Sequence, residues 1–132
     1  MDWKKEYSEG LQFASTAKGM QNKEKVDNET LYNIIALAIE KFTSSLASKL
    51  NYIPMNSSLV FIFRELSGKI NIPAHFIDEA SFMNRFMIYC SLDIVPVKAI
   101  SKADVLRMIA FMDEVASYTE KQEGAFRVAT GA

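Results

Sequence analysis

Few side chains in this sequence have the chemistry for catalysis, and they are scattered. His75 is the single histidine and stands just after Pro73. A general base needs a partner placed within hydrogen-bond reach. The nearby carboxylates Asp78 and Glu79 are accounted for by the positive end of a helix beginning there. His75 is therefore read as a surface or capping residue. Cys90 is the single cysteine, so no internal disulfide can form. It falls on an apolar stripe, where a buried and inert thiol is expected. There is no Cys–His spacing, no metal-ligand pair and no glycine-rich phosphate loop. Neither a metal nor a cofactor is expected.

Two arginines are more informative. Arg64 sits in FIFRE and Arg85 in MNRFMIY, each flanked by large apolar residues. A guanidinium is not buried without a partner. Each must reach solvent along its stem, pair with a carboxylate, or bind a phosphate-bearing ligand. The pair Glu40-Lys41 lies on the side of its helix away from most of the apolar stripe. It reads either as a solvated charged face or as a polar edge lining a cleft.

These residues need helices to position them. The strongest helical pattern is NETLYNIIALAIEKFTSSLASKL, from Asn28 to Leu50. Leu31, Ile34, Ile35, Ala38, Phe42, Leu46 and Lys49/Leu50 recur at three- and four-residue steps. Leu37 and Ile39 widen the apolar surface, so more than one neighbour is expected to cover it. Asp27 or Asn28 caps this helix, and it must stop before Pro54. An earlier helix spans Asp2 to about Gln21, with Trp3, Tyr7, Leu11, Ala14 and Ala17 on one face; Gly10 and Gly19 weaken it. A short third helix runs from about Ser58 to Gly68, capped by Asn56, Ser57 or Ser58. A fourth begins at Pro73 and is expected to continue to about Leu92. Asp93 to Ile100 (DIVPVKAI) reads as an extended linker. Ser101 and Asp104 form a capping box opening a fifth helix to about Gln122. Residues 1–122 are thus expected to be one helical-bundle domain, and 123–132 a C-terminal tail. Short connections favour antiparallel neighbours, giving an all-α, five-helix up-down bundle: a four-helix core plus a short helix.

Composition narrows the classes. The 132 residues suit one domain, with 49% apolar and 23% charged residues. A net charge of -1 shows no basic excess for non-specific nucleic-acid binding. The N-terminus MDWKKEYSEG has no apolar core of a signal peptide, and no apolar run is long enough to span a bilayer. No membrane association and a cytoplasmic location are expected. Nine Phe, five Tyr and seven Met are a heavy load. Any surplus over the core is expected to form an oligomer interface, most simply a homodimer.

The order of these elements resembles the HEPN-like domains, which are bundles of about five helices. The block AIEKFTSSLASKLNYIPMNSSLVFIFREL, from Ala38 to Leu66, is similar to their second helix, proline loop and short helix. The Ser101/Asp104 cap matches the opening of their last helix, and the resemblance covers about Glu29 to Tyr118. Many members cleave RNA with an Arg and a His a few residues later on one helix. Others are non-catalytic partners or substrate-binding subunits of small nucleotidyltransferases. The matching arginine here is Arg85, but Phe86, Met87, Ile88, Tyr89, Cys90 and Ser91 follow it without a histidine. The loop position where relatives often have His reads Asn56-Ser57-Ser58. The proton-transfer group for RNA cleavage is missing.

The resemblance therefore implies a degenerate, non-catalytic HEPN-like module. It would be homodimeric, with a nucleotidyltransferase-type partner or a bound nucleotide, and a ligand side at Arg85, Tyr89, Arg64, Glu40 and Lys41. The alternatives are a divergent RNA nuclease pairing Arg85 with a group such as Tyr89, and a structural homo-oligomeric bundle.

Overall fold

The computed structural model describes residues 3–23, 26–53, 58–86, 88–89, 94–95 and 99–129; for 88–89, 94–95 and 123–129 it describes the backbone alone. Five helices dominate: α1 (Trp3–Gln21), α2 (Asn28–Lys49), α3 (Leu59–Ser67), α4 (Ala74–Asn84) and α5 (Lys102–Ala129). A two-residue pair of strands, β1 (Ile88–Tyr89) and β2 (Ile94–Val95), lies between α4 and α5.

Three hydrogen bonds fix the helix directions. Ser45 Oγ on late α2 donates to the Trp3 carbonyl at the start of α1, at 2.9 Å. Tyr32 Oη on early α2 donates to the Met83 carbonyl at the end of α4, at 3.0 Å. Asn28 Nδ2 donates to the Ile100 carbonyl just before α5, at 2.9 Å. So α1, α2, α4 and α5 alternate in direction, and α3 is the short extra helix. This is the all-α up-down bundle expected from the helical periods.

At the centre, α2 packs on α1, α5 and α3. Ile35, Ala38, Ile39 and Phe42 are fully buried, while Leu37 is exposed. The wide apolar surface is thus used by several neighbours. Its N-cap is Asp27, whose carboxylate accepts from Thr30 N at 2.7 Å. That bond is the main reason the Asp27 carboxyl titrates below its ordinary value. The helix ends before Pro54 by its own geometry. Asn51 adopts φ 52°, Asn51 N donates to Ser48 O at 3.2 Å, and Tyr52 N donates to Ala47 O at 2.9 Å. This is the Schellman arrangement, with asparagine in the left-handed position.

Against α2, α1 buries small residues: Gly10, Ala14 and Ala17. A Cβ on Gly10 would lie 2.7 Å from the Phe42 ring, so the helices approach more closely than any side chain there allows. Leu11, placed on the buried face by the sequence pattern, is instead exposed. The reason is a shift of the contact face by one residue, onto the glycine.

The connection after α4 differs most from expectation. The helix stops at Asn84 and not near Leu92. Arg85 N and Phe86 N bond three residues back, to Phe82 O (3.2 Å) and Met83 O (3.3 Å), which tightens the last turn. The chain then pairs Ile88 with Val95 and Tyr89 with Ile94 in antiparallel register. Three of these four residues are β-branched, which suits a strand better than a helix. Cys90, Pro54, Asn56 and Ser57 lie outside the described residues. At the other boundary, α5 opens with the expected reciprocal cap: Ser101 N donates to Asp104 Oδ2 (3.0 Å) and Asp104 N to Ser101 Oγ (3.1 Å). It continues to Ala129, past the end expected near Gln122. Gly124 does not stop it, since one interior glycine costs only about 1 kcal/mol against alanine.

Much of the described aromatic load goes into the core. Phe42, Phe63, Phe76, Phe82, Phe86 and Phe111 are buried, as are Met83, Met108 and Met112. Among the residues whose burial is described, the exposed large apolar ones are Leu11, Leu37, Ile53 and Leu106, none of them aromatic or methionine. Among the described residues no helix is long and apolar enough to cross a membrane.

Candidate functional site

The last turn of α4 presents Arg85 on a rigid base. Phe86, the next residue, is buried and packs at 5.1 Å from Phe82 and 6.5 Å from Tyr32. Tyr32 also holds the Met83 carbonyl. The backbone on either side of Arg85 is therefore fixed, while its own side chain is exposed and makes no ion pair with a described residue. An exposed guanidinium on a fixed backbone is suited to a phosphate or carboxylate, whose oxygens match its donor fork.

The other residues singled out in the sequence lie elsewhere. Tyr89 is in β1, four residues beyond Arg85, and only its backbone is described. Arg64 is exposed on α3, opposite the buried side made by Leu59, Ile62, Phe63 and Leu66. Its neighbour Phe63 packs on Phe76, in the first turn of α4, at 5.7 Å. Arg64 is thus on the helix that packs at the start of α4, whereas Arg85 follows the end of α4. Lys41 pairs with Glu9 of α1 at 3.3 Å, on the α1 side of α2. Partial burial raises the Glu40 carboxyl above its ordinary value, with Lys41 opposing the shift. No hydrogen bond or ion pair joins any two of Arg64, Arg85, Glu40 and Lys41.

His75 is at the opposite end of α4 from Arg85. Its Nε2 meets Glu114 Oε2 of α5 at 2.5 Å, and its ring stands edge-on to Phe76 at 5.0 Å. Ten residues of helix place it about 15 Å from Arg85 along the axis. Among the described residues no three His, Cys, Asp or Glu side chains are grouped as metal ligands.

Two features had no visible signal in the sequence. Arg107 of α5 makes a two-pronged pair with Glu79 of α4, Nε to Oε2 at 2.9 Å and a terminal nitrogen to Oε1 at 3.0 Å. Its guanidinium also lies 3.7 Å from the Phe82 ring centre. The bonds to Glu79 hold Arg107 in its charged form. The partners are 28 residues apart, so no local spacing could show them. The second feature is a cleft between the α1–α2 connection and the start of α5.

No protein-family model matches this sequence, and no curated protein matches it. A solved structure does: a HEPN domain protein from Thermotoga maritima, with a TM-score of 0.65 at 14% sequence identity. The match spans 90% of this chain and 97% of that one. The chain has a HEPN-like, all-α fold.

Proposed function

We propose that this chain is a non-catalytic binding and partner module on a HEPN-like fold. It works in the cytoplasm as a homodimer, takes a nucleotide on the Arg85 side, and acts beside a nucleotidyltransferase-type protein. The observation that carries the non-catalytic part is the separation along α4. The single histidine is bound to Glu114 at the start of the helix, and the exposed arginine is at its end. A proton-transfer group must reach the reacting atoms, and His75 does not share a site with Arg85. The dimer and the nucleotidyltransferase-type partner rest on the likeness of the Ala38–Leu66 block to such modules.

The test uses the purified chain. A nucleoside triphosphate panel is expected to raise Tm, and Arg85→Ala is expected to remove that rise. Light scattering is expected to give a dimer mass. RNA cleavage lost in Arg85→Ala would overturn the reading in favour of a nuclease that recruits another companion. A monomer at high concentration would overturn the dimer. No nucleotide response, with a dimer still present, would leave a structural homo-oligomer as the better description.

A further inference from the structure

We infer that Tyr32 is a conformational switch point: its hydroxyl decides where α4 ends, and so which residues stand beside Arg85. The sequence after Phe76 carries two competing patterns. Phe76, Ala80, Met83 and Met87 continue an apolar helical period past Asn84. Ile88, Ile94 and Val95 are β-branched and favour a strand. The structure takes the second pattern. Helix α4 stops at Asn84, and Ile88 and Tyr89 pair with Val95 and Ile94. Local preferences that conflict in this way do not select one state, so a contact from outside the segment tips the balance.

Tyr32 supplies that contact. Its Oη donates to the Met83 carbonyl at 3.0 Å, between residues 51 positions apart. Both residues are buried. The same carbonyl accepts from Phe86 N at 3.3 Å, a bond reaching only three residues back. A carbonyl oxygen has two lone pairs, and these two donors use them. A longer α-helix needs this oxygen for the amide four residues on. A side chain inserted into the ladder in this way bends or ends a helix. The Tyr32 ring lies 6.5 Å from that of Phe86, and Phe86 lies 5.1 Å from Phe82, so packing holds the hydroxyl in place. Tyr32 is thus a cap on α4 delivered by α2.

The cap has a consequence for Arg85. A helix running on through Tyr89 would put Arg85 and Tyr89 four residues apart on one face. Here Arg85 closes α4 and Tyr89 belongs to β1. Tyr32 therefore sets what accompanies the Arg85 guanidinium. This consequence rests on the role proposed for Arg85; the position of the helix end does not.

The test reads the Cα chemical shifts of Ile88 and Tyr89 by NMR, in the full chain without ligand. The parent is expected to give extended values. Tyr32→Phe keeps the ring and removes the hydroxyl. Ile94→Gly with Val95→Gly removes the β-branched strand partner. Each variant is expected to move both residues toward helical values, and the combined variant to move them furthest. Losing one ordinary hydrogen bond should raise the helical-to-extended ratio about three- to tenfold. Shifts that stay extended or become those of random coil, in every variant, would overturn the inference. So would a helical shift in the glycine variant that Tyr32→Phe does not increase. If Tyr32→Phe does not fold, the glycine variant alone decides, on the same readout. A nucleotide panel without a Tm rise would overturn the role proposed for Arg85 and leave these shifts unaffected.

Discussion

The two ends of α4 are built in opposite ways. At its start, Phe76 packs against Phe63, Phe111 and Tyr118 with ring centres 5.5–5.7 Å apart. His75 and Glu79 reach across to Glu114 and Arg107 of α5. Both of these side chains have a partner inside the molecule. At its end, Arg85 is exposed beside a pair of short strands. The same end of the bundle holds the cleft by the α1–α2 connection, because Tyr32, Leu31 and Asn28 on the first turns of α2 reach Met83, the cleft and Ile100. Polar groups satisfied within the fold stabilise it. The Arg85 guanidinium, left facing outward, is the one available to a ligand. Mutations at the two ends should therefore separate stability from binding.

The largest effect is expected from Phe76→Ala. The side chain is 2% exposed and packs against four other rings. Truncating a buried phenylalanine costs about 3–5 kcal/mol. Chemical denaturation should show a lower midpoint with an unchanged slope. Arg85→Ala, at the other end, should change stability by less than about 0.5 kcal/mol, as surface substitutions do. A similar loss at both ends would break the contrast.

Next is Gly10→Ala, which tests how α1 is held against the helix that forms the open end. Alanine is the better helix former by about 1 kcal/mol. Its Cβ would nevertheless meet the fully buried Phe42 ring at 2.7–2.8 Å. Overpacking of this kind costs about 1–3 kcal/mol, so net destabilisation is expected. Adding Phe42→Leu should recover part of the loss. If Gly10→Ala alone raises Tm, the close approach does not constrain the helix pair.

Much of the fold could be read from local chemistry. Asp27 before an apolar stripe, and Ser101 with Asp104, are caps whose partners lie three residues away, so spacing alone reveals them. The end of α4 could not be read in this way. Phe82 to Leu92 keeps an apolar helical period, and what overrides it is a strand partner, Ile94–Val95, that no short window contains. Leu11 failed for a related reason: hydrophobicity favours leucine on the buried face, but the observed packing selects the residue with no side chain. The site follows the same division. Arg85 stands out because aromatic neighbours surround it in sequence. Arg107 has no signal until α5 lies beside α4.

A smaller effect is expected at the Arg107–Glu79 pair. Arg107 is half-exposed and Glu79 is more buried. An exposed pair contributes about 0.2–1 kcal/mol, and stacking on Phe82 adds about 0.5–1 kcal/mol. A double-mutant cycle with Arg107→Ala and Glu79→Gln should give a coupling energy at the upper part of the first range. Arg107→Lys keeps the charge but loses the two-pronged geometry, so it should retain less than half of that coupling. Full retention would mean that the geometry adds nothing and the start of α4 is held by its rings alone.

The smallest effect concerns two carboxylates on α2, one at each kind of setting. Burial raises the Glu40 carboxyl, whereas hydrogen bonds from Thr30 lower that of Asp27. For Glu40 the folded chain holds its proton more tightly than the unfolded chain. Its contribution is therefore fully present below the ordinary carboxylate value and is lost as pH rises through the raised one. For Asp27 the order reverses: its contribution is present above the ordinary value and is lost as pH falls through the lowered one. Glu40→Gln removes the charge that burial disfavours. Its Tm should match the parent below about pH 4, near the ordinary glutamate value, and exceed it slightly at neutral pH. Asp27→Ala should do the reverse, falling below the parent at neutral pH and converging with it in acid. The partly desolvated carboxylate then weakens the neutral-pH fold slightly and the capping one strengthens it. A neutral-pH loss in Glu40→Gln would instead mean that Glu40 has a favourable partner, and would move it from the bland side of the comparison to the functional one.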